Sequence, residues 1–144
     1  MVEDSYILVS LYRITADLTR GTTQLSLPYG LTFGQFAVLE ALYSKGDLTV
    51  GQVKTAILSS DGTIPVILRK LEENGYIIRT KNPNDARSTI NHLTEKGREL
   101  IAVVAEQNKE MVQNNFDIWS KEEKKMLVHL FKKYHDFKKS KNKK

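Results

Sequence analysis

Apolar residues recur at intervals of three and four along most of the chain, and the period shortens towards two in only one stretch. From Tyr6 to Arg20 the positions Ile7, Leu8, Leu11, Tyr12, Ile14 and Leu18 predict a helix. Three further helix starts carry a hydroxyl residue with Gln or Glu three positions on, the pairing that satisfies orphaned backbone donors: Thr32/Gln35, Thr49/Gln52 and Ser120/Glu123. After Thr32 an apolar-rich helix runs to about Tyr43 and closes at Gly46, and after Thr49 a short one shows Val50, Val53 and Ile57 on one face. Ile64, Ile67, Leu68 and Leu71 mark another helix that ends at Asn74-Gly75, with Pro65 acceptable because it falls in the first turn. Tyr76–Lys81 and Ser88–Leu93 then favour strands around the turn-forming residues Asn82 to Ala86, which predicts a hairpin. Thr94 restarts a long helix with Leu100, Ile101, Val103, Val104, Met111, Val112 and Phe116. A last one follows Ser120 with Leu127, Leu130, Phe131, Tyr134 and Phe137.

Three helices and a hairpin, in that order within residues 32 to 93, predict a winged helix-turn-helix in a mainly α protein. Its third helix would enter a major groove of double-stranded DNA. With the apolar stripe turned inward, that helix shows Thr63, Pro65, Val66, Arg69 and Lys70 elsewhere. Arg69 is the side chain able to hydrogen-bond a base edge, whereas Pro65 and Val66 suit a thymine methyl. A winged module that docks on protein instead of DNA fits the same pattern, and the two differ in salt dependence of binding.

The charge balance adds little to this. The chain of 144 residues carries a net +5, but residues 121–144 hold ten lysines against Glu122, Glu123 and Asp136, a net of +7 that leaves the first 120 at −2. The lysines from 138 onward read as a solvated tail. Cysteine is absent, which removes disulfides, thiolate metal sites and thiol redox chemistry. No cofactor, metal site or enzyme activity is expected. His92, His129 and His135 have no carboxylate cluster at helical spacing, and phosphate-loop, nucleophile-elbow and zinc-protease motifs are missing. The acidic start and the longest apolar run, Leu100–Ala105, suggest a soluble cytoplasmic protein without a membrane partner.

Four segments in order resemble the MarR family of bacterial transcriptional regulators. Leu31-Thr32 with Gln35 and Val38-Leu39 is similar to that family's second helix, and Leu71 to Ile77 to its exit from the recognition helix. Asn82-Pro83-Asn84-Asp85-Ala86-Arg87-Ser88 resembles its wing tip, and Leu93-Thr94-Glu95-Lys96-Gly97 the opening of its fifth helix. The resemblance spans about residues 5 to 139. It implies a homodimer on a pseudo-palindromic duplex, built from a dimerisation helix and linker (1–30), a winged DNA-binding region (31–93), dimerising helices (94–139) and a lysine-rich tail (140–144). It implies Ser60, Thr63, Pro65, Val66 and Arg69 as recognition-helix contacts, with Arg87 in a minor groove steadied by Asp85. Pro65 and Asp61 depart from the usual pattern, so the DNA sequence read is expected to be unusual. Repression relieved by a small aromatic or amphipathic effector is implied too, in a cleft where the dimer-forming helices meet the winged core. Tyr12, Tyr29, Phe33 and Phe36 are the aromatic residues placed to line it.

The dimer also has a physical argument of its own. The first and last helices lie outside the winged core, and their apolar stripes need a partner surface.

Overall fold

The computed structural model describes residues 2–57 and 63–142. They gather into two units, residues 1–109 and 110–144. In chain order the elements are α1 (Val2–Ser26), a 3-10 turn (Leu27–Tyr29), α2 (Phe33–Lys45), β1 (Leu48–Thr49), α3 (Val50–Ile57), α4 (Ile64–Glu73), β2 (Ile77–Asn82), β3 (Asp85–Leu93), α5 (Glu95–Phe116) and α6 (Lys121–Asn142). Mainly helical structure with a small sheet is therefore what the chain adopts.

The caps form where the sequence puts them, because each needs only four consecutive residues. Thr32 Oγ1 accepts from the Gln35 amide at 3.1 Å while Gln35 Oε1 accepts from the Thr32 amide at 2.9 Å. Thr49 with Gln52 and Ser120 with Glu123 repeat the exchange. Pro65 occupies the first turn of α4, where its missing N–H is no loss. Beyond α4 the Tyr76 amide donates to Leu71 O at 3.0 Å, and Gly75 takes the left-handed φ of 78° that this helix ending requires.

In the first unit Leu39, Leu42, Val53, Ile64, Leu68, Leu71, Ile77, Ile101 and Val104 are buried in one core drawn from α2–α5 and the sheet. Burying each such side chain contributes about 1.5–3 kcal/mol, which is why α4 can spend its opposite side on solvent-facing groups. The sheet is antiparallel in the order β1-β3-β2. Leu48 pairs Asn91 and Thr49 pairs Ile90, while Ile77 to Lys81 pair Leu93 to Thr89. Strand β1 is absent from the sequence reading, since two residues cannot display an alternation. The hairpin is also longer than expected, with a two-residue tip at Pro83-Asn84. Asn82 pairs Asp85 after a register shift beside Lys81, so the polar residues read as loop extend the strands.

Helix α5 starts against the backbone of Tyr76. Thr94 joins the two: its amide donates to Tyr76 O at 3.0 Å, its hydroxyl donates to Gly75 O at 2.6 Å, and the same oxygen accepts from the Gly97 amide at 3.0 Å. Gly97 is buried, and a Cβ there would lie 2.9 Å from the Tyr76 carbonyl carbon and nearer still to its oxygen. The Thr and Gly of the Leu93–Gly97 segment are thus one device that sets the hairpin's base on the following helix.

Two helices have almost nothing to bury within their own unit. Of α1, only Thr22 and Ser26 are buried, whereas Tyr6, Ile7, Leu8, Leu11 and Tyr12 are exposed. Helix α6 has no buried residue among those described, and Met126, Leu130, Phe131, Tyr134 and Phe137 are exposed along it. It continues as helix through the lysine-rich end as far as Asn142, and residues 138–142 are all exposed.

Candidate nucleic-acid interface

Helix α4 divides its residues cleanly. Ile64, Leu68 and Leu71 are buried, and Thr63, Pro65, Val66, Arg69 and Lys70 are exposed. This follows from a 3.6-residue period in which the apolar positions recur at i, i+4 and i+7. Arg69 Nε lies 4.0 Å from Glu73 Oε1, with both side chains largely in solvent, so the guanidinium is held loosely and is available to another partner. Ser60 and Asp61 lie outside the described residues.

At the hairpin tip two side chains brace the turn. Asn82 Oδ1 accepts from the Asn84 amide at 3.0 Å, and Asp85 Oδ1 accepts from the Arg87 amide at 3.0 Å. The Arg87 guanidinium stands 3.5 Å from the same carboxylate and its side chain is 95% exposed. Asp85 therefore shapes the backbone under Arg87 more firmly than it restrains the charge. An exposed guanidinium on a braced tip is suited to enter a groove flanked by phosphates.

The four aromatic residues expected at an effector site do not share one environment. Phe36 is 5% exposed and belongs to the hydrophobic core. The reason is the spacing it shares with Leu39 and the other inward residues of α2. Tyr12 is 68% exposed on α1, and Phe33 at the start of α2 is also exposed. Tyr29 alone is half-buried with a polar partner, its hydroxyl accepting from Gln107 Nε2 at 2.7 Å. Nearby in sequence on both sides, Thr22 Oγ1 donates to Asn108 Oδ1 at 2.6 Å. An open groove of about 360 Å³ lies elsewhere, lined by Lys45, Leu48, Gly51, Gln52, Thr55 and Ala56, and includes none of the four aromatics.

One polar cluster escaped the sequence reading. His92 has no cluster of carboxylates at helical spacing, yet its Nδ1 is 3.0 Å from Asp47 Oδ2 and its Nε2 is 2.8 Å from Thr80 Oγ1. Asp47 precedes β1, His92 is on β3 and Thr80 is on β2, so pairing of the strands creates a row that no local pattern could show. On the same strand, buried Asn91 donates from Nδ2 to Leu48 O at 3.1 Å. Among the described residues no group of three His, Asp or Glu side chains could hold a metal ion, and no helix is long and apolar enough to cross a membrane.

Comparison with known proteins agrees with this geometry. The family model for the transcriptional regulators SarA/Rot matches residues 22–104. The chain is 31% identical over 129 residues to the HTH-type transcriptional regulator YkoM of Bacillus subtilis, covering 87% of this chain and 84% of that one. With the HTH-type transcriptional regulator MhqR of the same organism it shares 34% over 105 residues, covering 73% and 72%. Among solved structures, BpsR of Bordetella bronchiseptica superposes with a TM-score of 0.75 at 25% identity, covering 88% of this chain and 90% of that one; 6-hydroxynicotinic acid regulates its DNA binding. A matching family model over more than half the chain, two relatives above 30% identity and a shared winged-helix architecture lead to one conclusion: this chain belongs to the SarA/Rot family of MarR-type helix-turn-helix transcriptional regulators.

Proposed function

We propose that the chain works as a cytoplasmic homodimer that binds a pseudo-palindromic duplex and represses transcription until a small aromatic or amphipathic molecule releases it. The observation that carries the reading is the pairing of two exposed features on a single folded unit. Helix α4 offers Thr63, Pro65, Val66 and Arg69 from its solvent side, and the hairpin offers Arg87 from a braced tip. A helix of this size fits the major groove, and a guanidinium fits the narrower minor groove beside it. Pro65 and Val66 can meet only apolar base edges, so base hydrogen bonding falls to Thr63 and Arg69. The exposed apolar residues of α1 and of α6 are covered by a second copy, because a twofold pairing closes without forming filaments. No catalytic step is assigned to the chain; binding and release account for a regulator.

For the effector, the region around Tyr29 and Gln107 is favoured over Phe36. A half-buried phenol and an exposed primary amide can exchange their mutual hydrogen bond for one to a ligand carboxylate or hydroxyl. BpsR, which responds to an aromatic acid, supplies the precedent for the ligand class.

Selecting sites from random duplexes and titrating salt tests the DNA reading directly. Arg87→Ala is expected to weaken every duplex and to lower the salt slope by about 1, whereas Arg69→Ala should cost about 1–3 kcal/mol at particular base positions. Equal binding by Arg87→Ala across the titration would remove the hairpin from the interface. A shallow salt dependence of the unaltered chain would favour a protein-docking module.

A further inference from the structure

The row Asp47–His92–Thr80 lies on the face of the sheet opposite the core, one residue out of phase with buried Asn91 and Ile77. Each of its members comes from a different part of the fold. Asp47 follows Gly46, the residue that closes α2, and α2 is anchored by Phe36, Val38, Leu39, Ala41 and Leu42 in the core. His92 is one residue from the end of the central strand β3, and Thr80 is on the edge strand β2. The imidazole thus links the end of a core helix to both arms of the hairpin, with 3.0 Å and 2.8 Å contacts on its two nitrogens. The fastening is solvent-accessible but partly shielded, since the His92 side chain is 26% exposed.

We infer that His92 is a positioning residue for DNA binding: through Asp47 and Thr80 it fixes the pitch of the hairpin against α2, and so the place where Arg87 arrives. The inference rests on the assignment of Arg87 to the DNA interface. Arg87 and His92 are five residues apart on one strand, about 17 Å at the rise of a β-strand. A tilt of about 5° at the base of such an arm shifts its tip by about 1.5 Å, which is as large as the tolerance of a charge-assisted hydrogen bond. Strand pairing with β1 does not by itself prevent this tilt, because β1 contributes only Leu48 and Thr49. Asn91 holds the core side of the same junction through Leu48 O, and His92 holds the solvent side. With the core side pinned only at this one point, Asn91 serves as a pivot, and release of the His92 link alone frees the tilt about it.

A double-mutant cycle separates positioning from general stabilisation. On a duplex chosen from a random pool, Arg87→Ala is expected to lower the affinity of the otherwise unaltered full-length chain about tenfold. In a His92→Ala background the same change should cost less than about threefold, since the tip no longer arrives in register. His92→Gln should restore the larger factor, because an amide supplies one donor for Asp47 and one acceptor for the Thr80 hydroxyl. Asp47→Ala, at a mostly exposed side chain, removes the same link from its other end and should reproduce the reduced factor even if His92→Ala folds poorly. An Arg87 factor that stays the same in both the His92→Ala and Asp47→Ala backgrounds overturns the positioning role, whatever those variants do to melting temperature. If Arg87→Ala has no effect with His92 in place, the hairpin reading itself is wrong and the inference falls with it.

Discussion

Gly97→Ala is expected to destabilise the first unit by about 3 kcal/mol or more, seen as a fall in melting temperature of about 10 °C or greater. The added methyl would meet the carbonyl group of Tyr76, which is backbone and cannot rotate out of the way. Relief would require lifting α5 from the base of the hairpin, and that breaks the two hydrogen bonds that Thr94 donates to Gly75 O and Tyr76 O. Gly51→Ala is the informative control. There a Cβ would meet only Thr49 Oγ1 at 3.9 Å, so the change should be neutral or should stabilise α3 by up to about 1 kcal/mol through helix propensity. Calorimetry on the two variants decides the matter: an unchanged melting temperature for Gly97→Ala would mean that the helix does not rest on Tyr76 as described.

The second large effect concerns assembly. Leu130→Asp is expected to raise the dimer dissociation constant about 100-fold or more, while Lys139→Asp leaves it nearly unchanged. Leu130 is among the exposed apolar residues of α6 together with Met126, Phe131, Tyr134 and Phe137. If a second copy covers them, an aspartate at this position must be desolvated without a partner, which costs several kcal/mol, and each 1.4 kcal/mol is a factor of ten. Lys139 belongs to the lysine-rich stretch, where a reversed charge stays in water. Sedimentation equilibrium of the unaltered chain and both variants reads the result. A folded monomer of the unaltered chain at micromolar concentration would sink the dimer, and equal association of Leu130→Asp would move the interface off this part of α6.

These expectations bear on regulation as well as stability. A dimer fixes the separation of two α4 helices, and a ligand that favours another separation lowers DNA affinity by as much as it prefers that state. Couplings of about 1–3 kcal/mol, or 5- to 150-fold, are typical of such linkage. Reciprocity then requires DNA to weaken the ligand by the same factor. If the effector binds at the site proposed around Tyr29, Tyr29→Phe, which removes the hydroxyl bonded to Gln107, is expected to shift the effector concentration that releases DNA while leaving the melting temperature nearly unchanged.

What the sequence determined by itself is whatever depends on neighbours within about one helical turn or one hairpin. The three capping boxes, the inward stripe of α4, Pro65 in its first turn and the Gly75 ending are all local, and each has the form its residues predict. Length limited this even at short range. The alternation that marks a strand cannot register in the two residues of β1, and polar turn formers at 82 and 85–86 joined the strands once a partner strand was available. Tertiary structure decided which of several equivalent-looking side chains face the core and which polar groups meet. Tyr12, Phe33 and Phe36 all sit at helical spacing, yet only Phe36 is buried, because burial depends on what packs against a face and not on the face's own period. Asn91 reaches Leu48 across 43 residues and Gln107 reaches Tyr29 across 78, while His92 acquires Asp47 and Thr80 only when three strands align. Such partners are separated in sequence by whole elements. Their meeting is fixed by the burial of apolar stripes that do not include them, which is why the chain's residues announce the helices and the hairpin but not the polar row that ties them together.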